Sequence, residues 1–410
     1  MRKEKVDVLI IGAGPAGSVS AGIIQKSGLK VMVVEKMRFP RFVIGESLLP
    51  RTMEALEDAG LLDKIKSMNF QEKFGAKFVR GDEVCDYNFS DQHTKGWNWT
   101  WQVPRADFDL ALIEEVQKKG THVFFESEVI DIKFFPDHST TIIQSAEGIT
   151  EIEAKFIIDA SGYGRVIPKM FHLDKPSSIK TRKTIFNHFK DELRNEFEEA
   201  NRITIIVHKP EVWIWVIPFS NGNTSVGFVG NTEFFDKFEG TNKDILKEII
   251  ALEPYIARRF ENFDIQMETQ SIEGWSVTID KFYGDGFVLV GNVTEFLDPV
   301  FSSGVTLAVS SAQRAAHLVV DKLNGREVNW EKEYQKPTEY GVNAFRTYVE
   351  GWYDGTLHTI FFAKNQNQEI KNQICSVLAG YVWDESNPFI NDHYSKVTNL
   401  AMAIKILEKA

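Results

Sequence analysis

Val6-Asp7-Val8-Leu9-Ile10-Ile11-Gly12-Ala13-Gly14-Pro15-Ala16-Gly17 decides the fold. An apolar run of strand character enters a Gly-x-Gly-x-x-Gly turn, and the amphipathic stretch from Ser18 to Ser27 continues it as a helix. Gly12 permits the turn, Gly14 and its neighbour Ala16 let the backbone approach a pyrophosphate, and Gly17 lets the helix pack on the strand, with the anion at the helix N-terminus. A second strand, Lys30 to Val34, ends at Glu35, followed by Lys36. This acid lies about 20 residues beyond the glycines, where a carboxylate accepts hydrogen bonds from ribose hydroxyls and disfavours a phosphorylated ribose. Glycines alone are a weak signal; strand, turn, helix, strand and terminal acid together predict a bound dinucleotide.

The bulk numbers narrow the remaining classes. A chain of 410 residues, 43% hydrophobic and 26% charged, is long enough for two or three packed units. Its formal charge of -11 argues against a nucleic-acid partner, which demands a basic face to replace counterions on phosphate. The sequence has two cysteines, Cys85 and Cys375, so neither a disulfide framework nor a metal site is expected, and a reducing cytoplasm is the expected location. The apolar run from Val6 to Gly12 follows a basic start but is short and runs straight into the glycine turn, so it is expected to be a strand and not a signal peptide. No segment approaches the ~20 apolar residues that a membrane span requires.

Four later segments point to FAD in preference to NAD. Pro104-Arg105-Ala106-Asp107-Phe108-Asp109 opens a helix and Ile157-Ile158-Asp159-Ala160-Ser161-Gly162 ends a strand. Gly286-Phe287-Val288-Leu289-Val290-Gly291-Asn292 is a further strand, and Asp298-Pro299-Val300-Phe301-Ser302-Ser303-Gly304-Val305 leads into another helix. The set resembles the FAD-dependent monooxygenase superfamily, and the resemblance implies a contact from Arg105 to the flavin cofactor and a structural strand end at Asp159, near the adenine side. It also places Gly291 and Asn292 beside the ribityl chain. Asn292 stands where the superfamily has aspartate; an amide still hydrogen-bonds a hydroxyl, donating as well as accepting. Amides around Pro299, Gly304 and Val305 are expected to face the flavin ring.

Trp213-Ile214-Trp215-Val216-Ile217-Pro218 separates this chain from most proteins with that fingerprint. Period-two alternation puts Trp213, Trp215 and Ile217 on one face of a strand, which by itself predicts only a buried sheet. Gly45-Glu46-Ser47-Leu48-Leu49-Pro50 and Phe70-Gln71-Glu72-Lys73-Phe74-Gly75-Ala76 accompany it. Together the three stretches resemble the flavin-dependent halogenases of the phenol and pyrrole type. The resemblance implies that reduced FAD, oxygen and chloride or bromide give hypohalous acid, which an interior passage carries to Lys73. It further implies that the strand bearing Trp213, Trp215 and Pro218 separates flavin from substrate, that Glu46 and Ser47 belong to the cofactor site, and that amides at Ser303 and Gly304 hold the halide. As a residue type, lysine is most often a solvated surface group. Desolvation, however, lowers an amine's pKa and lets it form a haloamine or hydrogen-bond hypohalous acid. Lys77 is the lesser candidate. Tryptophan-type halogenases carry glutamate where this chain has Phe301, so the expected substrate is an electron-rich phenol or pyrrole, free or tethered to a carrier.

The fold expected from these segments is α/β, with a Rossmann-like FAD-binding domain of the glutathione-reductase type. That domain takes residues 1–75, 102–175 and 280–325, interleaved with a substrate-side mixed sheet from 76–101 and 176–279. Residues 326–410 form a helical segment, whose Tyr348, Trp352, Tyr353, Phe361 and Phe362 either pack a core or line a lid. Trp97, Trp99 and Trp101 alternate as on one strand; they either line an aromatic pocket or pack beneath a sheet. His93, His188 and His208 lack ligand-like spacing and receive no catalytic role. With no second nucleotide fingerprint, reduced flavin is expected from a separate reductase. Competing readings are a reductase or dehydrogenase of the geranylgeranyl reductase type, an aromatic monooxygenase, and a non-catalytic FAD carrier.

Overall fold

The computed structural model describes residues 2–175, 180–197, 199–275 and 278–408. The first strand, Arg2–Ile11, is solvated at its start and fully buried over its last four residues. Such continuous burial belongs to a parallel strand covered on both faces. It pairs in parallel with Val31–Val34 on one side and Gly148–Asp159 on the other. His122–Phe124 and Phe287–Leu289 extend the parallel set outward. Antiparallel strands Ser139–Ser145, Glu128–Phe134 and Tyr283–Gly284 complete an eight-stranded sheet. The fold is thus the expected α/β arrangement, and the carboxyl ends of its parallel strands converge on one crevice, where open α/β sheets bind ligands.

Close contacts fix the first turn. Gly12 has φ +101°, and a Cβ there would lie 2.5 Å from the Ala160 carbonyl oxygen. A Cβ on Gly17 would fall 1.9 Å from the Gly12 oxygen, so only glycine lets helix Pro15–Lys26 approach the strand this closely.

A second, seven-stranded sheet runs in the order Gln270–Glu273, Lys183–Lys190, Asn223–Gly230, Val212–Pro218, Thr204–Lys209, Gly75–Arg80, Glu83–Asn88. All its pairings are antiparallel except that between Thr204–Lys209 and Gly75–Arg80. Alternation along Val212–Pro218 divides two cores. Val212, Ile214 and Val216 pack with Leu246 and Ile249 of helix Asn242–Leu252. Trp213, Trp215 and Ile217 join the core that includes Phe345, Tyr348 and Trp352 of helix Lys336–Tyr353. The aromatic residues of the C-terminal helices therefore serve core packing, with Phe361 and Phe78 ring centroids 4.8 Å apart.

Thr100 and Trp101, expected in the substrate sheet, belong instead with Gln102 to a strand that pairs with Gln71–Lys73 in a separate two-stranded ladder. The tryptophan alternation is correspondingly corrected. Only Trp101 lies in the strand; Trp97 and Trp99 precede it in irregular backbone, and the three rings meet edge to face and pack against the core of the FAD-binding sheet. No helix among the described residues is long and apolar enough to cross a membrane.

Candidate active site

One cavity of about 510 Å³ runs from the glycine turn to the tryptophan strand. Gly12, Gly14, Ala16, Glu35 and Lys36 line one end, at the carboxyl ends of Arg2–Ile11 and Val31–Val34. Glu35 accepts hydrogen bonds from the backbone N–H groups of Ala13 (2.9 Å) and Met37 (2.8 Å). A carboxylate has about four acceptor positions, so Glu35 still has capacity for ribose hydroxyls. Asn292, Pro299, Gly304 and Val305 line the middle, and Trp213, Trp215, Ile217 and Trp275 close the far wall.

The segment Arg41–Ser47 straps across this cavity and contributes every one of its residues to the lining. Arg105 anchors it. Its guanidinium is paired bidentately with buried Asp109 (2.8 and 2.9 Å), and Nη1 donates to the carbonyls of Ile44 (3.1 Å) and Gly45 (3.3 Å). Arg41 reaches the same aspartate at 3.0 Å. Arg105, expected to contact the flavin, holds the strap against the cavity. Within the strap, Glu46 Oε1 lies 2.5 Å from His188 Nε2, while the buried Oε2 has no hydrogen-bond partner among the described residues.

Lys73 lies one layer behind Ser47. Its Nζ donates to Ser47 Oγ and to the Leu48 carbonyl, both at 2.8 Å. The side chain is 3% exposed. Burial, with a smaller push from the positive charge of Arg202, lowers its pKa to about 7. Lys73 does not line the cavity, whereas Ser47 does, so Ser47 links the two. Lys77, by contrast, is paired with Glu199 at 3.1 Å.

Other predicted residues shape the cavity without lining it. Asp159 accepts from the amides of Ser161 (3.0 Å) and Ile167 (2.8 Å), holding the loop whose residues Ala160 to Gly164 do line it. The Gly291 amide donates to Ser311 Oγ at 2.9 Å, tying that strand end to helix Ser303–Leu323. The Pro218 carbonyl accepts from Gln102 Nε2 at 2.5 Å. Ser303 begins the 21-residue helix after the left-handed Ser302; its buried hydroxyl has no partner among the described residues. Free first-turn amides and a helix dipole make this an anion-favouring end.

Known proteins sort this geometry. The FAD binding domain family matches residues 5–333, most of the chain. The chain belongs to that family. The chain also resembles a 1H-pyrrole-2-carbonyl-[peptidyl-carrier protein] chlorinase of Pseudomonas fluorescens, at 26% identity over 93% of this chain and 91% of that one. The corresponding brominase of Pseudoalteromonas luteoviolacea is 28% identical, with 93% of each covered. Among solved structures, a flavoprotein/dehydrogenase from Cytophaga hutchinsonii is 57% identical with a TM-score of 0.97, covering 99% of this chain and 100% of that one. A flavin-dependent brominase superposes at 0.85 with 25% identity and 99% of both chains covered. This family member is a halogenase-like, FAD-dependent enzyme.

The fit to FAD is consistent with the cavity itself. The glycine turn, the acid at its end and the strap line one continuous space, the arrangement by which such folds receive a dinucleotide. The motifs mark Glu46, Ser47 and Lys73 but not the bond joining Ser47 to Lys73, and His188, given no catalytic role, pairs with Glu46. Nothing in local spacing pairs His188 with a glutamate 142 residues away.

Proposed function

We propose that this enzyme halogenates an electron-rich aromatic substrate, a phenol or pyrrole, with Lys73 as the residue that hands over the halogen. FAD, reduced and then exposed to oxygen, supplies the oxidising power that converts chloride or bromide into hypohalous acid. The chain's own residues do the rest. The amides of Ser303 and Gly304 hold the halide, the walls around Trp213 and Trp215 keep bulk water from the ring site, and Lys73 receives the oxidised halogen behind Ser47. The observation that carries this reading is a fully buried amine, hydrogen-bonded to a cavity-lining serine, with its pKa lowered to about 7. Near neutral pH such an amine is neutral about half the time and then offers a lone pair. The pyrrole-carrier relatives support a pyrrole-type acceptor, tethered or free, and reduced flavin is proposed to come from a separate reductase.

The similarity to a flavoprotein/dehydrogenase keeps a second reading in view: reduction of an alkene such as a prenyl chain. One assay separates them. FAD-loaded, chemically reduced protein is mixed with oxygen and bromide, and hypobromite is captured by a small-molecule trap. Hypobromite above the level made by free flavin is expected. Hydrogen peroxide alone would reject halogenation and move the question to alkene acceptors.

A further inference from the structure

Three segments meet at Lys73. Ser47 bridges antiparallel to Gln102, with Leu48 N donating to the Trp101 carbonyl and Val103 N to that of Glu46. On its other edge, Thr100–Gln102 pairs with Gln71–Lys73, in the register Lys73 to Thr100 and Gln71 to Gln102. Residues directly opposite in a ladder share a face, and alternate residues along a strand share it too. Ser47, Gln102, Thr100 and Lys73 therefore project from one face of a three-segment patch. Lys73 starts on one edge and reaches Ser47 and Leu48 on the other, so its side chain crosses the middle segment.

That middle segment carries unspent polar capacity. Thr100 and Gln102 are each 0% exposed, yet Thr100 Oγ1 and Gln102 Oε1 have no hydrogen-bond partner among the described residues. Gln102 is oriented by its amide nitrogen on the Pro218 carbonyl, which leaves its oxygen as the free end. Native structures seldom keep such buried groups unpartnered without a reason. A hydroxyl that donates and accepts, an amide oxygen that accepts, and an amine beside them fit the chemistry of a small neutral oxyacid with one O–H.

We propose that Thr100 and Gln102 form a binding pocket for hypohalous acid beside Lys73, positioning its halogen on the amine. The proposal rests on the halogenase reading and deepens it. Gln102 Oε1 accepts the O–H of the acid, and Thr100 Oγ donates to its oxygen. The neutral Lys73 nitrogen attacks the halogen: an N–halogen bond forms and the O–halogen bond breaks. The departing hydroxide takes the proton released by nitrogen and leaves as water. The halogen keeps its oxidation state, so no further oxidant is involved.

The test uses FAD-free protein and one equivalent of sodium hypochlorite. A sulfinate then captures any haloamine as a stable sulfonamide, expelling chloride, and peptide mass spectrometry reads the labelling of each lysine. In the wild type, Lys73 is expected to label at least as fully as the exposed lysines despite its burial. Thr100→Val is isosteric and removes an unpartnered buried hydroxyl, so a purely structural role predicts unchanged or raised thermal stability and unchanged labelling. The pocket predicts that Thr100→Val labels Lys73 at least tenfold less, that Gln102→Leu does the same, and that Thr100→Ser restores labelling. Equal labelling in wild type and Thr100→Val, or no label on wild-type Lys73 while surface lysines react, overturns the pocket. If labelling follows the prediction while the FAD-loaded enzyme makes no hypobromite, the halogenase reading fails and the oxyacid pocket stands.

Discussion

The two sides of Ser47 are built by opposite strategies. On the cavity side the protein works with backbone: glycines that admit close approach, helix N-termini, and a strap whose carbonyls are clamped by Arg105. On the Lys73 side it works with side chains, two of them, Thr100 and Gln102, buried with a polar atom unpartnered among the described residues. The first arrangement tolerates almost no added volume and costs little electrostatically. The second pays in desolvation, since an amine held at a pKa of about 7, against 10.5 for an ordinary lysine, has lost most of its preference for the charged form. Binding a large cofactor demands shape, whereas the proposed halogen transfer demands one poorly solvated nucleophile.

Removing the proposed nucleophile, Lys73, is expected to have the largest effect and tests the contrast directly. Lys73→Met should lower halogenated product by about 1000-fold, in line with loss of a group taking part in bond making, while FAD binding, followed by flavin fluorescence, changes less than twofold. It should also stabilise the fold. Between the folded pKa near 7 and the unfolded value, the unfolded chain binds a proton that the native state lacks, so stability rises with pH across that window. The wild-type deficit is therefore greatest below pH 7 and fades towards pH 10, where the melting temperatures of variant and wild type should converge. A variant that loses activity and is also less stable at pH 6 would contradict the desolvation account.

Gly17→Ala probes the backbone side. The new Cβ would sit 1.9 Å from the Gly12 oxygen, which forces the helix off the strand. Overpacking of this kind costs about 3 kcal/mol, so urea unfolding should show a lower midpoint and purified protein should lose its flavin. Retention of both would mean that the first turn is less tightly built than its contacts indicate.

The chemistry of Lys73 also has a pH signature. If the neutral amine receives the halogen, the single-turnover transfer rate should fall about tenfold per pH unit below 7 and level off above it. A flat profile between pH 5 and 9 would leave Lys73 only a hydrogen-bonding role. Thr100→Val should scale the plateau and leave the midpoint near 7, because Thr100 has no bond to Nζ.

The same contrast explains what the sequence could and could not reveal. The cofactor end was legible because its determinants are consecutive: a strand, a glycine turn and an acid lie within residues 6–35. Alternation in Val212–Pro218 correctly separated Trp213, Trp215 and Ile217 from Ile214 and Val216, since a buried strand has two faces and a period of two. Trp97 and Trp99 show the same alternation without the strand. There the Trp97 carbonyl accepts from Gln92 Nε2 (2.9 Å) and Tyr381 OH (3.1 Å), so side chains, one of them distant in sequence, replace a ladder. The Lys73 patch was half legible. Its lysine stood out through a family motif, but its neighbours come from residues 46–48 and 100–102, joined by a single bridge and a three-residue ladder too short to leave a pattern. Thr100 and Gln102 carry no signal until the register places them under the amine.

Asn292→Asp is the finest probe, and the smallest effect, on the cavity side. Asn292 lines the cavity just after the Gly291 amide fastens its strand to helix Ser303–Leu323, so its position is set by backbone and either side chain should occupy the same place. The amide can both donate to and accept from a ribityl hydroxyl, whereas the carboxylate only accepts but does so as a charged group. Hydrogen bonds to charged partners exceed neutral ones by roughly 1 kcal/mol, which is about a fivefold gain in FAD affinity. A gain of that size, measured by titration of FAD-free protein, would mean that this chain holds its flavin less firmly than the residue at 292 allows. A loss instead would mean that the amide N–H donates to the cofactor, making asparagine the residue this cavity requires.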